Sequence, residues 1–190
     1  MTYRRILAVG DIHGHFEKFR SAYEKAKVDA ADDLLVFLGD YIDRGPSVRR
    51  TLEFVMKLAE EKNVVLLRGN HEQMMLDYFF GGATGEGWLM NGGRETMAEL
   101  LAWEKESPGT IARVLAFLRE LPLSHTVERK SAEGENTRVR FSLFDGKAQN
   151  AVYTDNGTPY AYAFFENGAL RFRNVDRDKN GTYELTEIYA

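Results

Sequence analysis

The 190-residue chain contains no cysteine. That absence removes disulfides, zinc–thiolate centres and thiol nucleophiles together, so any metal must be held by oxygen and imidazole. It also fits a reducing compartment, and a cytoplasmic location is expected. Long apolar runs are missing too. The N-terminal stretch MTYRRILAVGDIHG passes from a short apolar segment straight into charge, and nowhere do 18 apolar residues follow one another. Neither a signal peptide nor a membrane partner is expected. An excess of positive charge is also lacking. A net charge of −4 offers no basic face to a nucleic-acid backbone, so no nucleic-acid partner is expected. Histidine is scarce, confined to His13, His15, His71 and His125.

The chain does have an apolar content of 44%, enough for one core at this length. A single domain over 1–190 is expected, with an α/β part over 1–127 and a strand-rich part over 128–190. Apolar runs at 3–9, 34–38 and 64–67 read as strands, and the amphipathic stretches 15–27 and 46–61 read as helices between them. This β-α-β-α-β order predicts a parallel sheet. Further helices are predicted near 94–104 and from Pro108 to the Leu121-Pro122 step. Strands are predicted at 123–127, 139–144, 160–165, 170–175 and 183–189, with 128–136 as a hairpin loop or a mobile segment and the glycine-rich 81–87 as a flexible loop.

Each of the first three strands ends in a charged motif: GDIHG at 10–14, GDYIDRG at 39–45 and RGNHE at 68–72. Asp11 and Asp40 are 29 residues apart and Asp40 and Asn70 are 30 apart, about one βαβ repeat each. The motifs therefore converge at the carboxyl edge of the sheet, where open α/β sheets bind ligands. The residue types suit phosphate-ester hydrolysis. Two metal ions roughly 3.5–4 Å apart activate water at neutral pH and neutralise charge at phosphorus, and they need a bridging carboxylate in a mixed oxygen and nitrogen shell. Asp11, His13, Asp40 and Asn70 supply that chemistry, and Gly10, Gly14, Gly39 and Gly69 let the backbone approach the ions. Arg44 offers a planar fork for two phosphate oxygens. His71 can protonate a leaving oxygen, with Asp43 orienting its ring.

These motifs resemble the GDxHG, GDxxDRG and GNHE signatures of the phosphoprotein phosphatases within the calcineurin-like metallophosphoesterases. The similarity continues through Trp88, Asn91-Gly92-Gly93 and Leu121-Pro122-Leu123, a pattern like that of bacterial and lambda-phage-type serine/threonine phosphatases. The resemblance implies an α/β sandwich of two β-sheets flanked by helices, with an abbreviated, strand-rich C-terminal part. It implies that Asp11 and His13 hold one metal, that Asp40 bridges, and that Asn70 holds the second and touches phosphate. Manganese is the expected ion, with iron, zinc, nickel and magnesium as alternatives. The implied activity is hydrolysis of phosphomonoesters, with a phosphorylated protein or peptide, or a small phosphoester, as substrate. The same motifs serve symmetric diadenosine tetraphosphate hydrolases, and a weakly active binding module is a third reading.

The family completes its second metal site with two later histidines, and this chain departs from that pattern. Phe144 in RFSLFDG and Gly157 in NGTP stand at the corresponding places, so a weak or empty second site is expected. Asp145 and Asp155 lie within two residues of those positions and read chiefly as turn residues. His125 reads as structural or exposed, and His15 as a first-turn helix residue, with a supporting place beside the site as its alternative. The segment from Asp176 to Glu187 matches the D-x-D-x-N-G calcium-loop spacing, yet the strand-like alternation around it favours a hairpin.

Overall fold

The computed structural model describes residues 3–80, 86–130, 136–141, 149–155, 158–166, 169–175 and 185–188. Three strands, β1 (Arg5–Val9), β2 (Asp33–Phe37) and β3 (Val64–Leu66), pair in parallel in the order β1-β2-β3. The helices α1 (Phe16–Ala26) and α2 (Val48–Leu58) make the two crossovers. In α1, Phe16 and Phe19 fall on the buried face, and the helix stops at Lys27 in the left-handed conformation. In α2, Val48, Leu52 and Val55 are fully buried. Its first turn is capped from outside, because Glu99 accepts the backbone N–H groups of Val48 and Arg49 at 3.0 and 2.8 Å.

β2 is buried on both faces, which is why residues 34–38 read as an unbroken apolar run. Leu35 and Phe37 join the large core with α1 and α2, and with α3 (Asn70–Phe80), α5 (Arg94–Glu106) and α6 (Thr110–Glu120). Leu34 and Val36 pack on the other side with Leu67 and Val127, and Phe141 leans against them. Val127 and Phe141 belong to β4 (His125–Lys130) and β5 (Asn136–Phe141), an antiparallel pair that covers this second face. Between α3 and α5 lie the single turn α4 (Glu86–Trp88) and a widened turn over Leu89–Gly93, broken at Asn91 and at Gly92, where φ is +102°.

The chain divides into two compact units, Met1–Leu143 and Phe144–Ala190. The second is an antiparallel meander of β6 (Gln149–Asp155), β7 (Thr158–Glu166), β8 (Ala169–Val175) and β9 (Leu185–Ile188). Its strand β6 was not expected, and β4 and β5 extend further into the polar 128–136 stretch than a loop there would allow. The glycine-rich 81–85, Phe144, Asp145, Gly157 and most of the calcium-loop match lie outside the described residues; Asp155 closes β6. Among the described residues no helix is long and apolar enough to cross a membrane.

A buried carboxylate paired with two arginines ties the start of the sheet together. Asp33 is fully buried, and its carboxylate accepts from the Arg4 and Arg5 guanidinium groups and from the Asp29 backbone N–H at 2.9 Å. The Arg5 guanidinium beside it holds the carboxyl well below the usual carboxylate range. A depressed folded-state value stabilises the protein above the unfolded carboxylate pKa of about 3.9 and is lost as pH falls below it. Asp33→Asn is therefore expected to lower the melting temperature at pH 7, with the gap to the parent closing as pH drops below about 4. A gap that stays constant in melting scans from neutral to strongly acid pH would contradict this account.

Candidate metal centre

The three motif loops meet at the carboxyl edge of the sheet through backbone as well as side chains. The N–H of His13 donates to the Asp40 carbonyl and that of Gly14 to the Tyr41 carbonyl, each at 2.9 Å. The Tyr41 hydroxyl donates to the Leu67 carbonyl at 2.8 Å, and the His71 N–H donates to Asp40 Oδ1 at 3.1 Å. Within this frame four non-glycine residues hold left-handed backbone: His13 (φ 44°), Asp40 (54°), Asp43 (72°) and Arg44 (67°). Each costs of order 1–2 kcal/mol relative to ordinary backbone. Such conformations persist where the surroundings over-determine them, and all four here are motif residues.

His13, Asp40 and His71, all buried, bring ligand-capable atoms within 4.8 Å of one another. The two imidazole rings meet edge to face with centroids 4.6 Å apart. His13 Nδ1 lies 2.8 Å from the Ile42 carbonyl, which can only accept, so Nδ1 carries the hydrogen and Nε2 presents its lone pair to the cleft. Burial lowers the His13 pKa, which keeps the ring neutral as a ligand must be. Burial also raises the pKa of Asp40 from its ordinary value, the nearby Asp11 charge adding to it. A buried carboxylate pushed this way gains from a cation beside it. Asp11 itself is exposed and stands outside the buried trio, and Asn70 is half-buried at the start of α3.

The remaining predicted residues form a second tier. Asp43 is fully buried and takes three donors: His71 Nδ1–H at 2.6 Å, Trp88 Nε1–H at 2.9 Å and Thr96 Oγ–H at 2.6 Å. That fixes the His71 ring with Nε2 toward the cleft. Arg44 donates to His13 Nε2 at 3.2 Å, to His71 Nε2 at 3.0 Å and to Asn91 Oδ1 at 3.2 Å. His125 lies on β4 and His15 is the N-cap residue of α1 without a side-chain capping bond; neither belongs to the buried trio.

Sequence reasoning overlooked Glu72. Its fully buried carboxylate accepts the backbone N–H groups of Asp40 (2.8 Å), Tyr41 (2.8 Å), Ile42 (3.3 Å) and Gly69 (2.9 Å). Burial and the Asp40 charge push this carboxyl up to about 7, and the N–H groups oppose them. The glutamate of RGNHE was visible, but its partners are backbone groups that no side-chain pattern announces. Thr96, which anchors Asp43, was missed for lack of any motif around it.

The glycines differ in their steric role. A Cβ on Gly69 would stand 2.1 Å from Asp40 Oδ1, and one on Gly39 would stand 2.2 Å from the Gly69 nitrogen. Gly10 has open space around it and so departs from the close-approach role expected for it. Gly69→Ala is accordingly expected to displace the Asp40 carboxylate and weaken divalent-ion binding by at least about tenfold, the equivalent of one good ligand contact, while Gly10→Ala leaves it unchanged. Manganese titration of both variants checks this, and equal affinities would remove the steric role of Gly69.

Residues 4–168 match the calcineurin-like phosphoesterase family. The chain belongs to that family. A symmetrical bis(5'-nucleosyl)-tetraphosphatase of Aromatoleum aromaticum is 35% identical over 141 residues, which cover 74% of this chain and 45% of that protein. Serine/threonine-protein phosphatase 1 of Salmonella typhimurium is 42% identical over 94 residues, covering 48% of this chain and 40% of its own length. The chain thus spans less than half the length of these relatives. A solved serine/threonine phosphatase from Saccharomyces cerevisiae superposes with a TM-score of 0.44 at 23% identity, covering 63% of this chain and 33% of that one. This metallophosphoesterase has the mixed α/β architecture of its family and carries a donor set suited to the divalent metals the family uses.

Proposed function

We propose that this chain is a metal-dependent phosphoesterase whose ions are held by Asp11, His13, Asp40 and Asn70. The single observation that carries the reading is the buried convergence of His13, Asp40 and His71 on one point beside Arg44. Bound ions would supply an activated water and neutralise charge at phosphorus. The chain's own residues do the rest. Arg44 presents a two-pronged donor to phosphoryl oxygens. His71 Nε2 faces the cleft as the group that hands a proton to the leaving oxygen, and Asp43 holds the ring still.

Arg44 and His71 are coupled in this scheme. With Nδ1–H given to Asp43, His71 Nε2 accepts from Arg44, and it cannot do so once it carries a proton. Transfer of the guanidinium from the imidazoles to a phosphate therefore frees Nε2 for its own proton. Substrate binding and arming of the acid become one event.

Phosphoserine or phosphothreonine in proteins is one substrate class for this site, in keeping with the Salmonella relative. A dinucleoside tetraphosphate is the other, in keeping with the longer alignment to the Aromatoleum protein. We read residues 1–190 as one metallophosphoesterase domain acting without nucleic acid or membrane, in the cytoplasm, with manganese as the ion. The metal reading has a sharp consequence. By the sequence resemblance, Phe144 and Gly157 fall at the sequence positions where the family has histidines, so manganese titration is expected to find one tight ion and a second weak or absent one, with slow hydrolysis of para-nitrophenyl phosphate. Two tight ions and turnover in the common range of roughly 1–1,000 per second would overturn the weak second site. No hydrolysis of any phosphoester by the metal-loaded protein would overturn the enzymatic reading.

A further inference from the structure

A pocket of about 550 Å³ opens directly beside the site, bounded by Arg44, Met90, Asn91, Gly92, Arg94 and Glu95. The interruption of helical backbone at Asn91 and Gly92 shapes its wall. Gly92 accepts the Arg44 backbone N–H through its carbonyl at 3.4 Å, and the Asn91 side chain accepts from the Arg44 guanidinium. Helix α5 then starts at Arg94, so its first residue lines the same pocket as the arginine proposed to hold phosphate.

Arg94 differs from several surface arginines among the described residues of this unit. Arg20 is tied to Glu24, Arg49 to Glu53 and Glu106, and Arg113 to Ser107 and Thr110, while Arg119 stacks on Phe80. Arg94 is exposed and makes no hydrogen bond or ion pair among the described residues. Glu95 follows it, but adjacent helical residues do not face each other. In a chain of net charge −4, a guanidinium with no partner among the described residues, lining the same pocket as Arg44, is a local exception. Met90, 80% exposed at the same rim, adds a polarisable apolar surface of the kind that sits well against an aromatic base.

We propose that Arg94 is a specificity-determining residue that binds a second phosphoryl group adjacent to the scissile one, which selects phosphoanhydrides over simple monoesters. This rests on the phosphoesterase reading and narrows its substrate class. In such a substrate, water adds to one phosphorus, the bridging P–O bond breaks, and the bridging oxygen departs on the second phosphate, which Arg94 holds through charge-assisted hydrogen bonds. The proton from water passes to solvent, so atoms and charge balance without a further reactant.

The test compares pyrophosphate and orthophosphate binding to the manganese-loaded protein by calorimetry, for the parent, Arg94→Ala and Arg94→Lys. The parent is expected to prefer pyrophosphate. Arg94→Ala should weaken pyrophosphate about tenfold, as the loss of one charge-assisted bond implies, and leave orthophosphate unchanged, with Arg94→Lys recovering part of the loss. Equal weakening of both anions, no weakening of either, or no preference in the parent would each overturn the proposal. Hydrolysis of para-nitrophenyl phosphate and of pyrophosphate by the parent, measured alongside, tests the phosphoesterase reading separately: the absence of both activities sinks that reading, while either activity with unselective binding sinks only the role of Arg94.

Discussion

Glu72→Ala is expected to leave a chain that barely folds. Four backbone N–H groups, from Asp40, Tyr41, Ile42 and Gly69, end on this one carboxylate, and the residue is fully buried. An unpaired buried donor costs roughly 1–3 kcal/mol. Several at once consume much of a typical stability margin of about 5–15 kcal/mol. The loss also reaches function, because three of the donors belong to the loop that carries the left-handed Asp40 and Asp43, and the fourth is Gly69, which packs on the Asp40 carboxylate. Glu72→Gln keeps the volume but turns an amide N–H₂ toward other N–H groups, so an intermediate loss is expected. Urea unfolding of the three proteins checks the order. An alanine variant within about 1 kcal/mol of the parent, the range of an ordinary surface change, would show that water or a loop shift satisfies these donors.

The parallel core was legible in the sequence because its physics is local. Runs 3–9, 34–38 and 64–67 announced β1, β2 and β3, and their spacing placed GDIHG, GDYIDRG and RGNHE on one edge. The stripes Phe16–Phe19 and Val48–Leu52–Val55 announced α1 and α2. What stayed hidden depends on partners distant in sequence. The strand β6 carries Gln149, Asn150 and Asp155 around a short Val152-Tyr153 centre, too polar to declare itself before pairing with β7. The left-handed backbone at His13, Asp40, Asp43 and Arg44 contradicts the intrinsic preference of every residue concerned. It follows from cross-loop bonds such as His13 N–H to the Asp40 carbonyl. Thr96, 53 residues from Asp43, could be linked to it only by the fold.

The largest catalytic effect is expected at His71, and it should depend on what leaves. For an alkyl phosphoester such as phosphoserine the departing alkoxide is poor, so a positioned acid contributes about 10²–10⁴ in rate. For para-nitrophenyl phosphate, or for an anhydride whose leaving group is itself a phosphate, the departing oxygen needs little help. His71→Asn is therefore expected to slow a phosphoserine peptide by about 10²–10⁴ and the two activated substrates by far less. Asn can still place a polar group toward Asp43, so the site keeps its shape. Asp43→Asn should move in the same direction with a smaller amplitude, because Trp88 and Thr96 still hold the side chain while the ring of His71 loses its anionic partner. Metal content decides between this role and the alternative that the buried trio suggests, in which His71 is itself a ligand beside His13 and Asp40. His71 Nδ1 is committed to the buried Asp43 carboxylate at 2.6 Å, the partner that suits a proton-donating imidazole, whereas His13 Nδ1 faces the neutral Ile42 carbonyl; the Arg44 guanidinium touches Nε2 of both rings and does not separate them. Unchanged manganese stoichiometry in His71→Asn, with the leaving-group dependence above, is the expected result. Loss of the ion, or equal slowing of all three substrates, would remove the acid from the mechanism and make His71 part of the metal shell.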